Sequence, residues 1–170
     1  PFLAGATLQA EGTVDLARLA TAAESLLPLR NDMQLTSGIA QFHLGQRLDQ
    51  SGRASNSARL QLRNLAAVSG GQRLSWEDAL MIELSGSQTE QGPKLEADVQ
   101  ADFAEVQAGG SVSSGQIDGK VDFSALRQRL SEWVELPIEN MSGNAQLVAE
   151  WSMESDSVVA AHGSLKSTPL

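Results

Sequence analysis

The sequence predicts an α+β protein that is mainly antiparallel β, with two short amphipathic helices. The first observation is a duplicated segment: residues 9–19 and 116–126 share the order Gln, any residue, acid, Gly, polar, Val, Asp, apolar, small, any residue, Leu. The second is that the spacing of apolar residues changes from about 3.6 residues to about 2 residues downstream of each copy, as expected where a strand follows a helix. The third is a series of alternating segments separated by glycine-rich turns, which is typical of an antiparallel meander of long strands.

The first copy of the repeat predicts a strand that leads into a capped helix. Residues 5–14 have the mixed polarity of a short strand, and Asp15 is placed to accept hydrogen bonds from the free N–H groups of the next turn. Apolar residues then recur at helical spacing over residues 16–27, which predicts a helix of about three turns. Pro28 should end this helix, because the residue before a proline is pushed out of the α region.

The second copy predicts the same order of elements. Asp122 is the expected cap, Pro137 is the expected terminator, and an apolar stripe at helical spacing lies between them. A strand should follow each helix, over residues 38–44 in the first copy and 143–153 in the second. The later strand would extend for about 36 Å, which is long for an ordinary β-sandwich.

The region between the two copies predicts the middle of the meander. Residues 58–65, 79–85 and 94–103 alternate between apolar and polar side chains. The phase of the alternation slips near Ala104, which indicates a bulge or the end of strand pairing. Because each strand has one polar face, we expect a sheet that is covered on one side and wet or partner-facing on the other.

The chain is interpreted as a single elongated domain, residues 1–170, with a first unit at 5–108 and a second unit at 112–170. It starts at Pro1 without an initiator Met or leader segment, which we interpret as a piece cut from a longer protein. It contains no run of 18 apolar residues, so no transmembrane segment is predicted within it. The lack of cysteine excludes disulfides, thiolate zinc ligands and thiol nucleophiles.

The charge of the chain argues against a nucleic-acid-binding function. The net charge is −9, whereas affinity for nucleic acid depends on a basic footprint. Residues 30–73 carry six Arg against two acids and could bind a local anionic group. Arg59 and Arg63, however, alternate with leucines, so the polar side of a solvated strand explains them better.

No catalytic, cofactor-binding or metal-ligating residue is predicted. The only histidines, His43 and His162, are better explained as exposed or core-edge residues than as metal ligands. Glu96, Asp98 and Asp102 alternate along one predicted strand, which is the pattern of a solvated face rather than of paired catalytic carboxylates. The sequence contains no nucleophile elbow, phosphate-binding loop or dinucleotide fingerprint, so we expect a protein that is not an enzyme.

The glycine-rich segment and the three tryptophans have structural interpretations. Residues 109–115 are interpreted as a turn between strands. Trp133 belongs to the predicted helix stripe and Trp151 to an apolar strand face, so both are expected in the core. Trp76 follows a turn and precedes two acids, and we expect it to be the most exposed of the three.

The order of these motifs resembles the AsmA-like, TamB-related family of bacterial envelope proteins. In both copies, acid-Gly-x-Val-Asp-apolar-x-x-Leu leads into a helix, Leu-Pro ends it, and a Gly-x-Ala-Gln strand follows. The resemblance covers residues 9–108 and 116–165. It implies an elongated, taco-like antiparallel sheet with an apolar inner face, and it carries over no catalytic residue.

The same resemblance implies a function and a location. It implies a non-enzymatic periplasmic module of a protein anchored in the inner membrane, acting in lipid transport or in outer-membrane assembly and maintenance. Its partners would be lipid acyl chains or other envelope proteins. The alternative is a structural or protein-binding β-repeat domain of a surface protein. A lipid function requires a continuous apolar concave face, whereas a protein-binding function predicts an exposed sheet edge or flat patch.

Overall fold

A single sheet accounts for most of the structure. The structure is a computed structural model and describes residues 6–22, 29–30, 32–90, 92–134, 142–155 and 158–168. Within these residues, nine antiparallel strands lie side by side in the order of the chain, so the sheet is an open meander with β1 and β9 at its edges. The strands are β1 (Thr7–Asp15), β2 (Met33–Leu48), β3 (Ala54–Ser69), β4 (Gln72–Thr89), β5 (Gly92–Ala101), β6 (Ala104–Ser111), β7 (Ser114–Asp122), β8 (Asn144–Ser155) and β9 (Val158–Thr168). The α+β class and the long meander are confirmed.

Two helices interrupt the meander at the same end of the sheet. Helix α1 (Leu16–Ala22) lies between β1 and β2, and helix α2 (Phe123–Trp133) lies between β7 and β8. Helix α2 ends at Trp133, with Val134 already extended, so it stops before the predicted terminator Pro137. Pro28 and Pro137 themselves lie outside the described residues. No helix in the described part of the chain has the length and apolar character needed to cross a membrane.

Both predicted helix caps are present. The Asp122 carboxylate accepts hydrogen bonds from the backbone N–H groups of Ser124 and Ala125, each at 2.9 Å. The Asp15 carboxylate accepts one from the backbone N–H of Arg18 at 3.1 Å. These bonds satisfy N–H groups that have no partner within the first helical turn, which is why an aspartate starts each helix.

The repeat extends to the pairing register of the strands. Gly12 on β1 lies opposite Phe42 on β2, and Gly119 on β7 lies opposite Leu147 on β8. The first members of these pairs are 107 positions apart and the second members 105 positions apart, and the same offsets hold along the whole length of both pairings. The two strand–helix–strand units therefore have the same backbone arrangement.

The slip in phase near Ala104 marks the end of strand pairing, the second of the two predicted alternatives, and not a bulge. Strand β5 ends at Ala101, which pairs directly with Ala104 at the start of β6. Only Asp102 and Phe103 lie between them. A two-residue hairpin connection reverses the chain, so the alternation restarts on the next strand.

The buried core lies at the end of the sheet that carries the helices. In the described part of the chain it consists of Ala67 on β3, Trp76 and Ala79 on β4, and Trp133 at the end of α2. The Trp76 ring centroid lies 6.3 Å from that of Trp133 and 5.9 Å from that of Phe103. Partly buried hydrophobic residues pack around these side chains: Met33, Leu35, Leu62, Leu65, Leu74, Leu130 and Val134.

Trp76 is buried, so its predicted exposure is wrong. Only 9% of the residue is exposed. It lies opposite Leu65 in the β3–β4 pairing, and Trp133 of α2 packs against its ring. The acids that follow it suggested a surface position, but the cover comes from a helix much later in the chain. The predicted burial of Trp133, which is 4% exposed, is confirmed.

An irregularity in β3 brings its apolar residues to one side. Leu62, Leu65 and Ala67 belong to the same core cluster, although strict alternation would separate Leu62 from the other two. Asn64, which lies between them, has a φ of 52°, and the β3–β4 register shifts between Leu62 and Arg63. Such a bulge changes the phase of a strand and so allows one apolar surface to continue under the helices.

Candidate functional site

One face of the sheet is apolar from the first strand to the last. Side chains at alternate positions share a face, and residues directly opposite each other on paired strands lie on the same face. We call this surface the apolar face. One row across it, from β1 to β9, consists of Ala10, Leu44, Ala58, Leu84, Ala97, Ala108, Ile117, Ala149 and Gly163. The next row towards the helices, from β1 to β8, consists of Gly12, Phe42, Leu60, Ile82, Val99, Val106, Gly119 and Leu147.

The end of the apolar face that lies away from the helices is exposed. Leu8 and Leu95 are 70% and 67% exposed, and Leu44 and Leu84 are each 49% exposed. We call these four residues the open apolar end. Leu44 and Leu84 lie in the first row, and Leu8 and Leu95 lie in the next row away from the helices, where the hydrogen-bonded Gln46 and Asn56 separate them. Four exposed leucines on one face still exceed the scattered exposed hydrophobic residues of most monomeric proteins. Such a surface is typical of a site that another apolar molecule covers.

Trp151 lies flat on the sheet at this end. A Cβ atom added to Gly110 would lie 2.9 Å from the Trp151 ring, and one added to Gly115 would overlap it. The indole N–H donates to the backbone carbonyl of Ser111 at 3.0 Å. The glycines of segment 109–115 therefore lie in strands β6 and β7, where a larger side chain at Gly110 or Gly115 would clash with the Trp151 ring. The predicted turn is confined to residues 112–113, between the two strands.

The three tryptophans thus have different environments. Trp151 occupies the apolar face, as expected, but it is only partly buried because neither α1 nor α2 covers this end of the sheet. Trp133 and Trp76 lie under or within the helix-covered end and are buried. The apolar face therefore has a closed half, which supplies the core of the fold, and an open half, which is available to a ligand or partner.

The opposite face is polar and carries most of the charged side chains of the central strands. The Arg59 guanidinium pairs with the Glu83 carboxylate across β3 and β4 at 2.6 Å. The Lys94 ammonium pairs with Glu96 at 2.7 Å, and this hydrogen bond, followed by one from Ser85, lowers the pKa of Glu96. These side chains are half exposed, so each pair contributes little to stability.

A recess of about 800 Å³ lies on this polar face. Its lining includes His43, Arg59, Glu83, Asp98 and Asp118, from strands β2 to β7. The resemblance to AsmA-like proteins implies an apolar inner face, whereas here the recess has a polar lining and the continuous apolar surface lies on the other side. The sequence shows which residues alternate, but the direction of sheet curvature depends on all nine strands together.

The predicted acidic residues occupy two different places. Glu96 and Asp98 are on the polar face of β5, as the alternation predicts. Asp102 lies instead in the β5–β6 turn, where its carboxylate accepts a hydrogen bond from the Arg129 side chain at 2.8 Å. This ion pair links the turn to helix α2, so Asp102 has a structural contact that the sequence did not indicate.

The two histidines are not brought together. His43 lies on β2, with Nδ1 4.0 Å from a carboxylate oxygen of Glu11. His162 lies on β9 opposite Glu150, and six strands separate it from His43. Within the described ranges, no group of three His, Cys, Asp or Glu side chains has the geometry to hold a metal ion.

The feature that sequence reasoning missed is the alignment of the strands. The alternation in each strand was visible, but whether the apolar sets of neighbouring strands line up depends on the register of each pairing. A shift by one residue would turn a whole strand over. The short turns at 70–71, 102–103 and 112–113 set this register, and they are the signal from which it could have been inferred.

Comparison with known proteins adds no relative. No protein-family model matches this sequence, and neither a curated protein nor a solved structure shows significant similarity to it.

Proposed function

We propose that this chain is a non-enzymatic module of the bacterial cell envelope whose apolar face binds lipid acyl chains. In this proposal the module is periplasmic, belongs to a protein anchored in the inner membrane, and takes part in lipid transport or outer-membrane maintenance. The observation that carries the proposal is the continuous apolar face, which extends over all nine strands and remains exposed at the open apolar end. The motif resemblance to AsmA-like proteins implies the same function, although it places the apolar face on the inner side of the sheet, whereas the recess here lies on the polar face.

The chemistry of the surface suits a flexible apolar ligand. Large side chains such as Leu44 and Leu84 alternate across the strands with small ones such as Ala58 and Ala97. This leaves shallow troughs between ridges, and a methylene chain can follow such troughs without requiring hydrogen bonds. No charged residue interrupts the two apolar rows, so an acyl chain could lie across several strands without desolvating a charge.

The expected affinity is modest. Full burial of a methylene group contributes about 0.8 kcal/mol, so a chain of about 16 carbons that loses half of its exposure would gain about 6 kcal/mol. Association also costs translational and conformational freedom, so the dissociation constant should be no tighter than about 10–100 µM. An open face with this affinity would release its ligand readily, which suits transfer of lipid better than storage.

The alternative function, a protein-binding β-repeat domain, is supported by a different observation. Strands β1 and β9 are edges of the sheet within the described residues, and the apolar rows continue to them. An exposed apolar surface that reaches the outer described strands is also what a protein partner could cover. The two functions differ in whether isolated acyl chains bind.

The test is binding of a fluorescent fatty acid to the purified chain, compared with Leu84→Asn and Ser85→Asn variants. Leu84 belongs to the open apolar end, whereas Ser85 is its neighbour on the polar face, so the two variants introduce the same side chain on opposite sides. We expect Leu84→Asn to weaken binding at least about fivefold and Ser85→Asn to leave it unchanged. Circular dichroism should show that both variants keep the fold.

A photoactivatable acyl chain provides a second measurement. Labelled peptides should map to the apolar face of β2–β5 and not to the polar face. No measurable binding to the parent chain, or equal binding by the two variants, would refute the lipid proposal and favour the protein-binding alternative.

A further inference from the structure

The open half of the apolar face extends beyond the four leucines of the open apolar end. Phe42, Leu60 and Leu147, which lie in the row next to the helices, are also exposed. From this row to the row that contains Leu8 and Leu95, the described strands present three rows of side chains, and none of these side chains is charged. The open half therefore offers an uncharged surface over all nine strands.

The area of this surface is close to what a stable dimer needs. Nine strands about 4.8 Å apart give a width of about 43 Å, and three rows about 6.6 Å apart give a length of about 20 Å. The footprint is therefore about 850 Å², whereas the largest apolar patch on a typical monomer covers roughly 300–600 Å². Specific protein–protein interfaces bury about 800 Å² on each partner, so two copies placed face to face reach this size.

The helices give the apolar face a step whose height fits a second sheet. Helix α2 packs on this face through Trp133, which contacts Trp76 of β4. A helix with its side chains is about 10–12 Å thick, and two sheets packed face to face lie about 10 Å apart. The open half of a second sheet therefore fits on the open half of the first, with its end against the helices.

We propose that a second copy of this chain covers the open half of the apolar face when no acyl chain is bound. A two-fold axis between the two sheets runs across the strands, along the middle of the three rows. Each copy then covers the same rows on the other, the contact closes as a dimer, and the helices of the two copies lie at opposite ends. Ala97 lies in the middle row on β5, the middle strand, so it faces its own counterpart across the axis.

The dimer adds a partner to the apolar face, and its competition with lipid rests on the proposed function. The same rows cannot contact a second sheet and an acyl chain at once, so the two occupants exclude each other. Charge does not oppose the contact at the face itself, because the net charge of −9 on each copy comes from side chains outside the three rows. The dimer keeps apolar surface away from water until an acyl chain takes its place.

The first measurement is the mass of the purified chain in solution, by analytical ultracentrifugation without lipid. We expect twice the mass of the chain between about 1 and 100 µM, because interfaces of this size have micromolar or tighter dissociation constants. Leu60→Asn should raise the dissociation constant of the dimer at least about tenfold, because two-fold symmetry places the polar group in the contact twice. Gln61→Asn, on the polar face of the same strand, is the control and should leave it unchanged.

Cross-linking locates the contact and does not depend on how well Leu60→Asn folds. The chain lacks cysteine, so Ala97→Cys and Gln100→Cys each introduce one thiol on β5, the first on the apolar face and the second on the polar face. A short bismaleimide should link Ala97→Cys chains at least about tenfold faster than Gln100→Cys chains, because the packed sheets lie only about 10 Å apart. A fatty acid added below its critical micelle concentration should slow the cross-linking of Ala97→Cys and restore the mass of the monomer.

Three results would overturn the proposal. A chain that remains a monomer at about 100 µM would show that no second copy covers the face. Equal cross-linking at the two cysteine positions would assign the dimer to another surface. A dimer that keeps its mass with fatty acid bound would exclude the competition. None of these results refutes acyl-chain binding, which is measured separately with labelled fatty acid on dilute, monomeric protein, and a failure of that binding would leave the dimer standing.

Discussion

Replacement of Trp133 should reveal how strongly the fold depends on one helix–sheet contact. Trp133 is 4% exposed and packs on Trp76, in a core with few fully buried side chains among the described residues. Truncation of a buried tryptophan to alanine costs about 3–5 kcal/mol. A domain of this size has a total stability on the order of 5–15 kcal/mol, so we expect Trp133→Ala to remove a large share of it.

The conservative variant separates packing from hydrogen bonding. The indole nitrogens of Trp76 and Trp133 are both buried and have no acceptor in the described part of the chain. An unsatisfied buried donor costs about 1–3 kcal/mol, and Trp133→Phe removes that donor while keeping most of the ring. We therefore expect Trp133→Phe to be close to neutral, because the gain offsets the smaller packing area.

Urea denaturation followed by far-ultraviolet circular dichroism provides the measurement. The midpoint should fall strongly for Trp133→Ala and change little for Trp133→Phe. Trp151→Ala is the matched control, since that tryptophan lies on the open half of the apolar face and is only partly buried. A loss below about 1 kcal/mol for Trp133→Ala, or a larger loss for Trp151→Ala, would refute the view that the helix-covered end holds the core.

Three further predictions concern the glycines beneath the Trp151 ring, the cap of helix α2 and the effect of pH on stability. Gly115→Ala should lower the free energy of unfolding by about 1–3 kcal/mol and shift Trp151 fluorescence to longer wavelength, since the added methyl group displaces the ring. Asp122→Ala should cost about 1 kcal/mol in urea denaturation and lower helical circular dichroism, since two N–H groups lose their acceptor. The hydrogen bond from Ser69, followed by the nearby positive charge of Arg30, lowers the pKa of Asp32 below its usual 3.8. The ionised Asp32 carboxylate therefore stabilises the fold fully above pH 3.8, and this stabilisation is lost as the pH falls below that value. Ser69→Ala should flatten this acid-induced loss, as measured by denaturation between about pH 6 and pH 2.5.

The parts of the fold that the sequence predicted depend on local chemistry. An aspartate before an apolar helical stripe satisfies the free N–H groups beside it, so Asp15 and Asp122 could be assigned as caps from neighbouring residues alone. The alternation of each strand is likewise local, and it indicated the apolar and polar faces correctly for β5 and most of β8.

The parts that were wrong depend on residues distant in sequence. Trp76 is buried by Trp133, which lies 57 positions later. The glycines at 110 and 115 stay in strands because the Trp151 ring lies on them, and that ring comes from β8. Both contacts join residues that are far apart in the sequence. The residues next to Trp76 or Gly115 therefore could not show what packs against them.

The candidate site was predictable in kind but not in position. Alternation predicted an apolar sheet face, and the exposed leucines lie on it. The sequence did not show that α2 covers only one end, leaving Leu8 and Leu95 at the other, nor that the recess lies on the polar side. Both depend on how nine strands twist and curve together, which is a property of the whole sheet.

The two strand–helix–strand units differ in length only within the connection between their two strands. The strand positions that bracket the helix, 15 and 39 in the first copy and 122 and 144 in the second, are 24 and 22 residues apart, while both strand pairings keep a constant offset. A change of length inside a strand would rotate side chains to the wrong face, whereas the helical connection can absorb it. The helix-bearing corner is therefore where this architecture can accept insertions, and a tag or a foreign segment placed there should leave the register of the whole sheet intact.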